Sequence, residues 1–348
     1  MSPTYDALTL PEHVKTVLIT GAGGFVGQQL TALLLDQFPD VKLITTDLSP
    51  PPSLGASNSR RLKSVGVDLG NVAQVNSLFE GETIGGVFAL HGIMSGGSEA
   101  DFELGYKVNV DSHLNLLRAT HAHARTTGQK PVYVFISSLA VYGGPKCRPQ
   151  DYVVPSVSRH AVSAAAHGGH PIWSGKLVVM TDYKESLVHP LMVSVIQPST
   201  AASSFISGLI REPLQGQRSV CPIAASIDDP IFDNLPVYLS RTKTVIRNIA
   251  WGMCMPASRF TGEKGRSINV PGISVTPRQI LDALVEHGGK EALELVDFEP
   301  DQAVLDIVNT WAGDYDNSDA LALGFEVDDS KTGFADAVGD FKKEIQKN

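Results

Sequence analysis

Three glycines and an aspartate have the spacing of a site that binds a dinucleotide. Gly21, Gly24 and Gly27 follow the apolar run 16–20, and Asp47 ends the next β-rich run, twenty residues after Gly27. Glycines in such a turn let the backbone approach a pyrophosphate, which binds the free N–H groups and positive end of the next helix. A strand-end acid accepts hydrogen bonds from an adenosine ribose and repels a 2'-phosphate. A glycine turn and a strand-end acid also occur in ordinary connections, but together, with this strand, turn and helix, they predict NAD rather than NADP.

Other candidate cofactor contacts lie at the ends of the predicted strands or at the start of the first helix. They are Phe25, Val26, Asp68, Leu69, Ala89, Leu90 and His91. Ligands of open α/β folds bind beyond the carboxyl ends of the strands, which places these residues at one edge of the sheet. His91 is interpreted as a cofactor-lining residue rather than a catalytic one, the alternative being a polar residue that merely ends a strand.

The elements that must position these residues alternate between strands and helices. β-rich runs at 16–20, 42–46, 86–90 and 132–137 alternate with helical patterns such as 25–35 and 101–124. This alternation predicts an α/β fold, a Rossmann-type doubly wound parallel sheet with a smaller C-terminal substrate-binding region. The predicted boundaries are 14–198 for the NAD-binding domain, irregular over 145–175, and 199–348 for the mainly substrate-binding region, which ends in helices over 277–287 and 333–345.

Composition and charge limit the classes of partner that the protein is expected to bind. The 348 residues include 28 Lys and Arg against 37 Asp and Glu, a net charge of −9 without a basic block, which argues against nucleic acid and favours a small molecule. Cys147, Cys221 and Cys254 lie far apart, so neither a disulfide framework nor a thiolate metal site is predicted, and a reducing compartment is expected. No apolar run approaches the span of a bilayer, so we expect a cytoplasmic protein with no membrane partner.

Several motifs together resemble those of the extended short-chain dehydrogenases/reductases, the NAD-dependent epimerase/dehydratase superfamily. They are the glycine turn, Asn109 within 107–110, the run 136–143 and the ending 323–325. More narrowly, 94–97, 201–205, 211–214 and 269–275 resemble the D-erythronate dehydrogenase branch. These motifs lie in both halves of the chain but skip roughly residues 145–175.

The resemblance implies roles for particular residues. Ser138 matches the Ser that orients the substrate oxygen, and Lys176 resembles the Lys that binds the nicotinamide ribose and lowers the pKa of a catalytic Tyr. Asn109 joins the cofactor-binding set. Ser95, Gly96, Ser203 and Ser204 are expected to bind substrate. Arg241 is a candidate for pairing a substrate carboxylate, or else a surface charge.

The chain departs from the family at the catalytic Tyr. If Lys176 is the family Lys, the Tyr position holds Ile172, which cannot transfer a proton. Tyr142 and Lys146 have the right spacing, but Gly143, Gly144 and Pro145 between them forbid the helix that the pair requires. Tyr183 is the nearest substitute, although its position favours a packing residue on an amphipathic helix.

A second departure lies downstream, where 197–200 run almost directly into 201–204 with less chain than the family has. The segment 145–175 also holds the histidines His160, His167 and His170, which could supply a base. No metal site is predicted there, because no carboxylate or thiolate completes the set.

The first hypothesis is an NAD-dependent oxidoreductase acting on the CH–OH group of a small secondary alcohol or 2-hydroxy acid, with an erythronate-like substrate. The alternatives are an NAD-binding relative without catalysis, acting as a sensor or scaffold, and a non-redox isomerase or lyase. Family members commonly form dimers through the helix that carries residues 109–124 and the helix that carries the Tyr–Lys pair. The second helix is altered here, so the resemblance supports a homodimer only through the first.

Overall fold

The computed structural model describes residues 7–53, 60–93, 98, 100–138, 153–154, 186–189, 191–192, 204–259, 267–309 and 313–346. Its strands, in chain order, are β1 (Thr16–Thr20), β2 (Lys42–Asp47), β3 (Leu62–Gly66), β4 (Gly86–Ala89), β5 (Val132–Ser138), β6 (Val153–Val154), β7 (Ser186–His189), β8 (Leu191–Met192), β9 (Ser219–Cys221), β10 (Val237–Ser240), β11 (Ser267–Asn269), β12 (Ile273–Val275), β13 (Val296–Phe298) and β14 (Asp314–Tyr315).

The α-helices lie between these strands and after them. They are α1 (Phe25–Gln37), α2 (Val72–Ser77), α3 (Phe102–Tyr106), α4 (Ser112–Thr127), α5 (Ser204–Leu214), α6 (Ile231–Asn234), α7 (Thr242–Cys254), α8 (Pro277–Leu293), α9 (Gln302–Val308), α10 (Ser318–Ala322) and α11 (Gly333–Ile345). A π-helical turn over Lys107–Asp111 joins α3 to α4, so the single helix predicted from residue 101 is interrupted. No helix within the described ranges is both long and apolar enough to cross a membrane.

The largest sheet has seven strands in the order β11-β7-β5-β4-β1-β2-β3. Its pairs from β5 to β3 are parallel, as the alternation of strands and helices predicts. The chain proceeds from β1 to β2 and β3 on one side, then returns to β4 and β5 on the other. This order is that of a Rossmann fold, whose ligand crevice opens where the direction reverses, beyond the carboxyl ends of β1 and β4.

Burial explains why β1 and β4 are central. Every residue of both strands is buried, which matches their continuous apolar sequences. Leu18 and Val87 pack with Ile44 of β2 and with Leu116 of α4 in one apolar core, and each of these side chains is fully buried. The carboxyl edge of the sheet is therefore held by a rigid core.

The described chain forms two compact units. The first comprises Met1–Ser137, Ala165–Val188 and Ile246–Ile268, and the second comprises Ser138–Ala164, His189–Val245 and Asn269–Asn348. The domain boundary at 198 and 199 that the sequence suggested stays a prediction. Met253, in α7, belongs to the first unit and lies against β4, where a Cβ on Gly86 would come within 2.6 Å of its Sδ.

The second unit has its own apolar core, formed between α5, α8 and α11. Helix α8 begins with a capping box, in which the Thr276 hydroxyl accepts from the Gln279 N–H and the Gln279 side chain accepts from the Thr276 N–H. Pro277 occupies the first helical position, where its missing N–H costs nothing. The helix thus starts where the sequence predicts, and Gly289, at φ 77°, breaks it two residues beyond the predicted end.

Candidate functional site

The glycine turn connects β1 to α1 at the carboxyl edge of the first unit's sheet. Gly21 has φ 66°, a left-handed conformation that favours glycine, and a Cβ there would lie 2.7 Å from the backbone N of His91. At Gly27 a Cβ would lie 2.4 Å from the Gly21 carbonyl oxygen. Both positions exclude a larger side chain, so the turn stays tight and the backbone stays accessible.

The beginning of α1 is suited to an anion. Its N-cap residue is Gly24, which has no side chain with which to cap the first-turn N–H groups. These groups belong to Phe25, Val26 and Gly27, and a pyrophosphate could bind them together with the positive end of the helix. The fit of a dinucleotide phosphate to this turn rests on that uncapped helix start and on the glycine contacts.

Asp47 ends β2 beside the turn. Its Oδ2 accepts a hydrogen bond of 3.0 Å from the Gly23 N–H, and its Oδ1 accepts one of 2.8 Å from the Leu48 N–H. Each carboxylate oxygen keeps a further lone pair for a ribose hydroxyl. Leu48 follows with 75% of its surface exposed, an apolar side chain that could cover an adenine ring. The sequence analysis missed Leu48, because exposure cannot be deduced from an isolated leucine.

The end of β3 contributes backbone rather than free side chains. Asp68 accepts a hydrogen bond of 2.8 Å from the Gly70 N–H, and its second carboxylate oxygen lies 3.3 Å from the Lys107 Nζ. The Leu69 side chain is buried in the core, and its carbonyl accepts from the Asn115 amide at 3.1 Å. Ala89 is buried as well. These residues shape the cofactor edge, and Leu69 and Ala89 could contact a cofactor only through their backbone.

The His91 ring joins two strands and a helix. Its Nδ1 lies 2.7 Å from the Thr20 hydroxyl, and its Nε2 lies 2.9 Å from the Ser112 hydroxyl. Burial holds the pKa of His91 well below its ordinary value, with a further contribution from His113, so the ring is neutral. Ser112 donates its own proton to the Val108 carbonyl, so the neutral His91 donates from Nε2 and accepts at Nδ1 from Thr20, whose hydroxyl lies nearer to Nδ1 than to the Phe88 carbonyl at 3.3 Å.

This geometry changes the interpretation of His91. Its ring is occupied by protein partners, while its backbone lies against Gly21. The cofactor-lining role that the sequence suggests for His91 stays a prediction; in the structure its side chain packs behind the glycine turn and supports it. Thr20, Ser112 and His113 were not singled out from the sequence, because none of them has a recognisable spacing.

Asn109 lies in the π-helical turn and secures the loop after β4. Its Oδ1 accepts from the Ile93 N–H at 2.9 Å, and its Nδ2 donates to the Ile93 carbonyl at 3.1 Å and to the Ser98 hydroxyl at 3.2 Å. π-Helical turns are frequent at functional sites, because the extra residue redirects a side chain. Here the turn directs Asn109 towards the strand-end loop.

Ser138 is the last residue of β5, the strand next to β4. The register pairs Ala89 with Phe135, so Ser138 lies three residues further towards the carboxyl edge. Its backbone therefore ends at the same edge of the sheet as the glycine turn and His91. The substrate-orienting role that the resemblance implies for Ser138 stays a prediction.

Most of the remaining predicted residues lie outside the described residues. They are Ser95, Gly96, Lys176, Tyr183 and Ser203, together with Ile172, Tyr142, Lys146 and the histidines at 160, 167 and 170. Ser204 is described and begins α5, where its carbonyl accepts from the Ser207 hydroxyl at 2.9 Å.

Arg241 lies at the end of β10 in the second unit, where acidic side chains already bind it. Its guanidinium lies 2.6 Å from the Asp340 carboxylate and 3.5 Å from that of Asp336, and its backbone N–H donates to Asp328. Burial opposes the charged form, but these carboxylates outweigh it and raise the pKa of Arg241. A substrate carboxylate would have to displace two existing partners, which argues against the role considered from the sequence.

Fold and site together define a Rossmann-type protein with a dinucleotide site at its topological switch point. Residues 17–165 match the NAD dependent epimerase/dehydratase family. The chain is 32% identical to the D-erythronate dehydrogenase of Cupriavidus necator over 90% of its length and 94% of that protein. It is also 32% identical to the D-erythronate dehydrogenase of Haemophilus influenzae, over 90% of its length and 95% of that protein.

Solved structures agree on the fold. A nucleoside-diphosphate-sugar epimerase from Agrobacterium tumefaciens superposes with a TM-score of 0.78 at 23% identity, over 100% of this chain and 99% of the other. The chain belongs to the NAD-dependent epimerase/dehydratase family. It is an NAD-dependent oxidoreductase, as the first hypothesis from the sequence predicted, and the resemblance to the D-erythronate dehydrogenase branch is confirmed.

Proposed function

We propose that the protein oxidises the CH–OH group of a small 2-hydroxy acid related to D-erythronate, with NAD as the oxidant. The observation that carries the proposal is the carboxyl edge of the sheet. There Asp47 ends β2, the turn at Gly21 follows β1, and Ser138 ends β5, with β4 and His91 between the last two. The two relatives named D-erythronate dehydrogenase support the choice of substrate class.

The residues at this edge divide the work. NAD, when bound, supplies the acceptor for the hydride that leaves the carbinol carbon. Asp47 binds the adenosine ribose, and the first turn of α1 binds the pyrophosphate. Ser138 donates a hydrogen bond to the substrate oxygen and fixes its orientation. The hydroxyl proton must pass to a base as the carbinol becomes a carbonyl group.

The group that accepts this proton differs from that of the family, because Ile172 occupies the position of the family's catalytic Tyr. Lys176 holds the nicotinamide ribose by resemblance, and its charge would stabilise a nearby anionic base. Tyr183, a histidine of the segment 145–175 or a water molecule then takes the proton. Ser95, Gly96, Ser203 and Ser204 bind the substrate.

The test combines binding and turnover in one preparation. Calorimetric titration with NAD and NADH measures cofactor binding, and absorbance of NADH measures turnover with D-erythronate and related hydroxy acids. We expect both, with Ser138→Ala reducing kcat by at least a hundredfold and leaving NADH affinity unchanged. Lys176→Ala should weaken NADH binding, and Tyr183→Phe assigns the proton acceptor. Binding without turnover of any hydroxy acid would contradict the proposal.

That outcome would favour a second candidate, a cofactor-binding relative that senses NAD or acts as a scaffold. The specific observation in its favour is the isoleucine at position 172, since no proton can be transferred from it. The two candidates predict the same NADH affinity and differ only in turnover. A non-redox isomerase or lyase would instead convert a substrate without net NADH formation.

We also propose a homodimer formed through α3 and α4. Phe102, Leu104 and Tyr106 of α3 leave between 41% and 46% of their surfaces exposed, which is a sizeable apolar area for one short helix. Sedimentation velocity at micromolar concentration should give the mass of two chains. Phe102→Glu together with Tyr106→Glu should give one chain, with NADH affinity retained.

A further inference from the structure

A stack of three rings lies behind the glycine turn. The rings of His91 and His113 are stacked with centroids 3.7 Å apart and an angle of 18° between their planes. Phe135 of β5 meets His113 edge-on, with centroids 4.9 Å apart. The stack therefore links the end of β4, the first turn of α4 and β5, all within the first unit.

His113 makes one hydrogen bond in this stack. Its Nε2 lies 3.0 Å from the His91 carbonyl oxygen, and because a carbonyl only accepts, Nε2 must carry the proton. Its Nδ1 is buried and has no hydrogen-bond partner among the described residues. Burial lowers the pKa of His113 to about 4 and outweighs the bond to His91, which acts in the opposite direction, so the ring is neutral near pH 7.

The buried Nδ1 shows what the imidazole contributes. An unpaired buried lone pair is unfavourable, and a leucine or phenylalanine would fill the space without it. What an apolar side chain could not provide is the N–H donor to the His91 carbonyl. The contribution specific to His113 is therefore the hydrogen bond that its Nε2–H donates to the His91 carbonyl, just after β4.

That backbone is the surface on which the glycine turn rests. A Cβ on Gly21 would lie 2.7 Å from the His91 N and 2.8 Å from the His91 Cα, so the two backbones are in direct contact. Asn109 holds the same loop two residues later, at Ile93. A displacement of the His91 carbonyl would move the backbone that supports Gly21, and with it the N–H groups that face the pyrophosphate.

We propose that His113 is a positioning residue for the dinucleotide, acting through the His91 backbone on the glycine turn. The inference rests on the proposed cofactor site and adds to it a residue that touches neither cofactor nor substrate. Its effect should fall on dinucleotide affinity, because the turn binds the pyrophosphate, whereas a purely structural residue would change stability alone.

Helix α4 offers a matched control at the opposite edge of the sheet. His123 lies ten residues after His113, and its Nε2 accepts a hydrogen bond of 3.0 Å from the Ile84 N–H, just before β4 begins. Its ring also packs against an aromatic side chain, that of Phe79, at 5.3 Å. Each histidine thus binds the backbone at one end of β4, but only His113 does so at the cofactor edge.

The experiment measures NADH affinity, by calorimetry and by NADH fluorescence, for the full chain and its variants. His113→Phe keeps a ring in the stack and loses the donor, and we expect its Kd for NADH to rise about tenfold, which corresponds to about 1.4 kcal/mol. His123→Phe should keep the Kd for NADH within twofold of that of the original chain, while lowering the Tm about as much as His113→Phe does. His113→Gln retains an N–H donor and should recover most of the affinity. If His113→Phe does not fold, His113→Leu, which also lacks the donor, repeats the test.

The outcomes separate the two proposals. If the original chain does not bind NADH, the proposed function fails, and this inference fails with it. If the original chain binds NADH and the His113 variants bind it equally well, only this inference is overturned. It is likewise overturned if His123→Phe weakens NADH binding as much as His113→Phe, since the effect would then follow stability and not position.

Discussion

Asp47 combines two tasks in one side chain. It holds the turn through the Gly23 N–H, and it presents its remaining lone pairs at the cofactor edge. Asp47→Ala should raise the KM for NAD about tenfold, the effect of losing about 1.4 kcal/mol of binding. The same change should raise kcat/KM for NADP relative to NAD, because the repulsion of a 2'-phosphate disappears.

The measurement is the ratio of kcat/KM for the two cofactors, with Asp40→Ala, an exposed acid before β2, as the control. A ratio that stays unchanged in Asp47→Ala would show that the aspartate only supports the turn. Asp40→Ala should leave both cofactor constants as they are.

For Arg241, the question is whether its charged side chain binds the substrate or stabilises the second unit. Arg241→Gln breaks the ion pairs with Asp340 and Asp336; Arg241 and Asp340 are partly buried, whereas Asp336 is exposed. We expect a loss of about 1–2 kcal/mol in the free energy of unfolding, between the values typical of exposed and buried pairs. The substrate KM should not change.

Asp340→Asn is the matched variant, because it breaks the same principal pair from the other side. The two substitutions combined should cost less than the sum of their separate effects, as expected for residues in contact. A large rise in substrate KM with Arg241→Gln alone would restore the carboxylate-binding role.

At the scale of elements, the glycines of the turn between β1 and α1 differ in how much space a side chain would have. A Cβ at Gly27 would lie 2.4 Å from the Gly21 oxygen, whereas one at Gly24 would lie 3.4 Å from it, an ordinary contact. Gly27→Ala should therefore distort the turn, lower the Tm by several degrees and abolish measurable NADH binding. Gly24→Ala should keep the Tm of the cofactor-free protein. Thermal unfolding and NADH titration of both variants check this, and equal behaviour of the two would contradict the geometry.

The sequence predicted the elements of the first half well and their junctions less well. Strands β1 and β4 are continuous apolar runs, so their existence follows from burial on both faces. The π-helical turn at Lys107–Asp111 was missed, because it changes the hydrogen bonding of a helix without interrupting its apolar periodicity.

The residues of the candidate site likewise fall into those that the sequence predicts and those that it does not. The glycine turn and Asp47 have a local spacing that can be read directly, and the structure brings them into contact. The His91, His113 and Phe135 stack joins residues up to 44 positions apart in sequence, and it depends on the register between strands, which no local pattern reveals. Whether Arg241 is free to bind a substrate carboxylate depends on partners such as Asp340, which lies 99 residues away in the sequence.

At the scale of the molecule, three buried histidines make stability depend on pH. Burial lowers the pKa values of His91, His113 and His123 below the ordinary value of 6.5, in the case of His113 to about 4. The unfolded chain binds more protons than the folded chain in this interval. The stabilisation is therefore complete above about pH 6.5 and is lost progressively as the pH falls towards 4.

Among the described contacts of these rings, no negatively charged group raises their pKa values again. His91 faces the Thr20 and Ser112 hydroxyls, its carbonyl faces the His113 ring, and His123 faces the Ile84 N–H and Phe79, so no carboxylate among these described contacts favours an imidazolium. Carboxylates act in a different interval. Burial would raise the pKa of Glu82, but its bonds from Lys42 and Lys63 lower it, so its contribution is lost only at more acidic pH.

We therefore expect the Tm of the cofactor-free protein to fall steadily between pH 7.5 and 5. A histidine with the pKa of His113 accounts for about 2 kcal/mol of that loss, from the difference in bound protons between the two states. Thermal unfolding across this interval measures the slope, and His113→Phe, which removes one titrating ring, should make it shallower. A Tm that stays constant down to pH 5 would mean that these histidines accept protons in the folded state, contrary to their burial. A slope unchanged in His113→Phe would assign the loss to other groups.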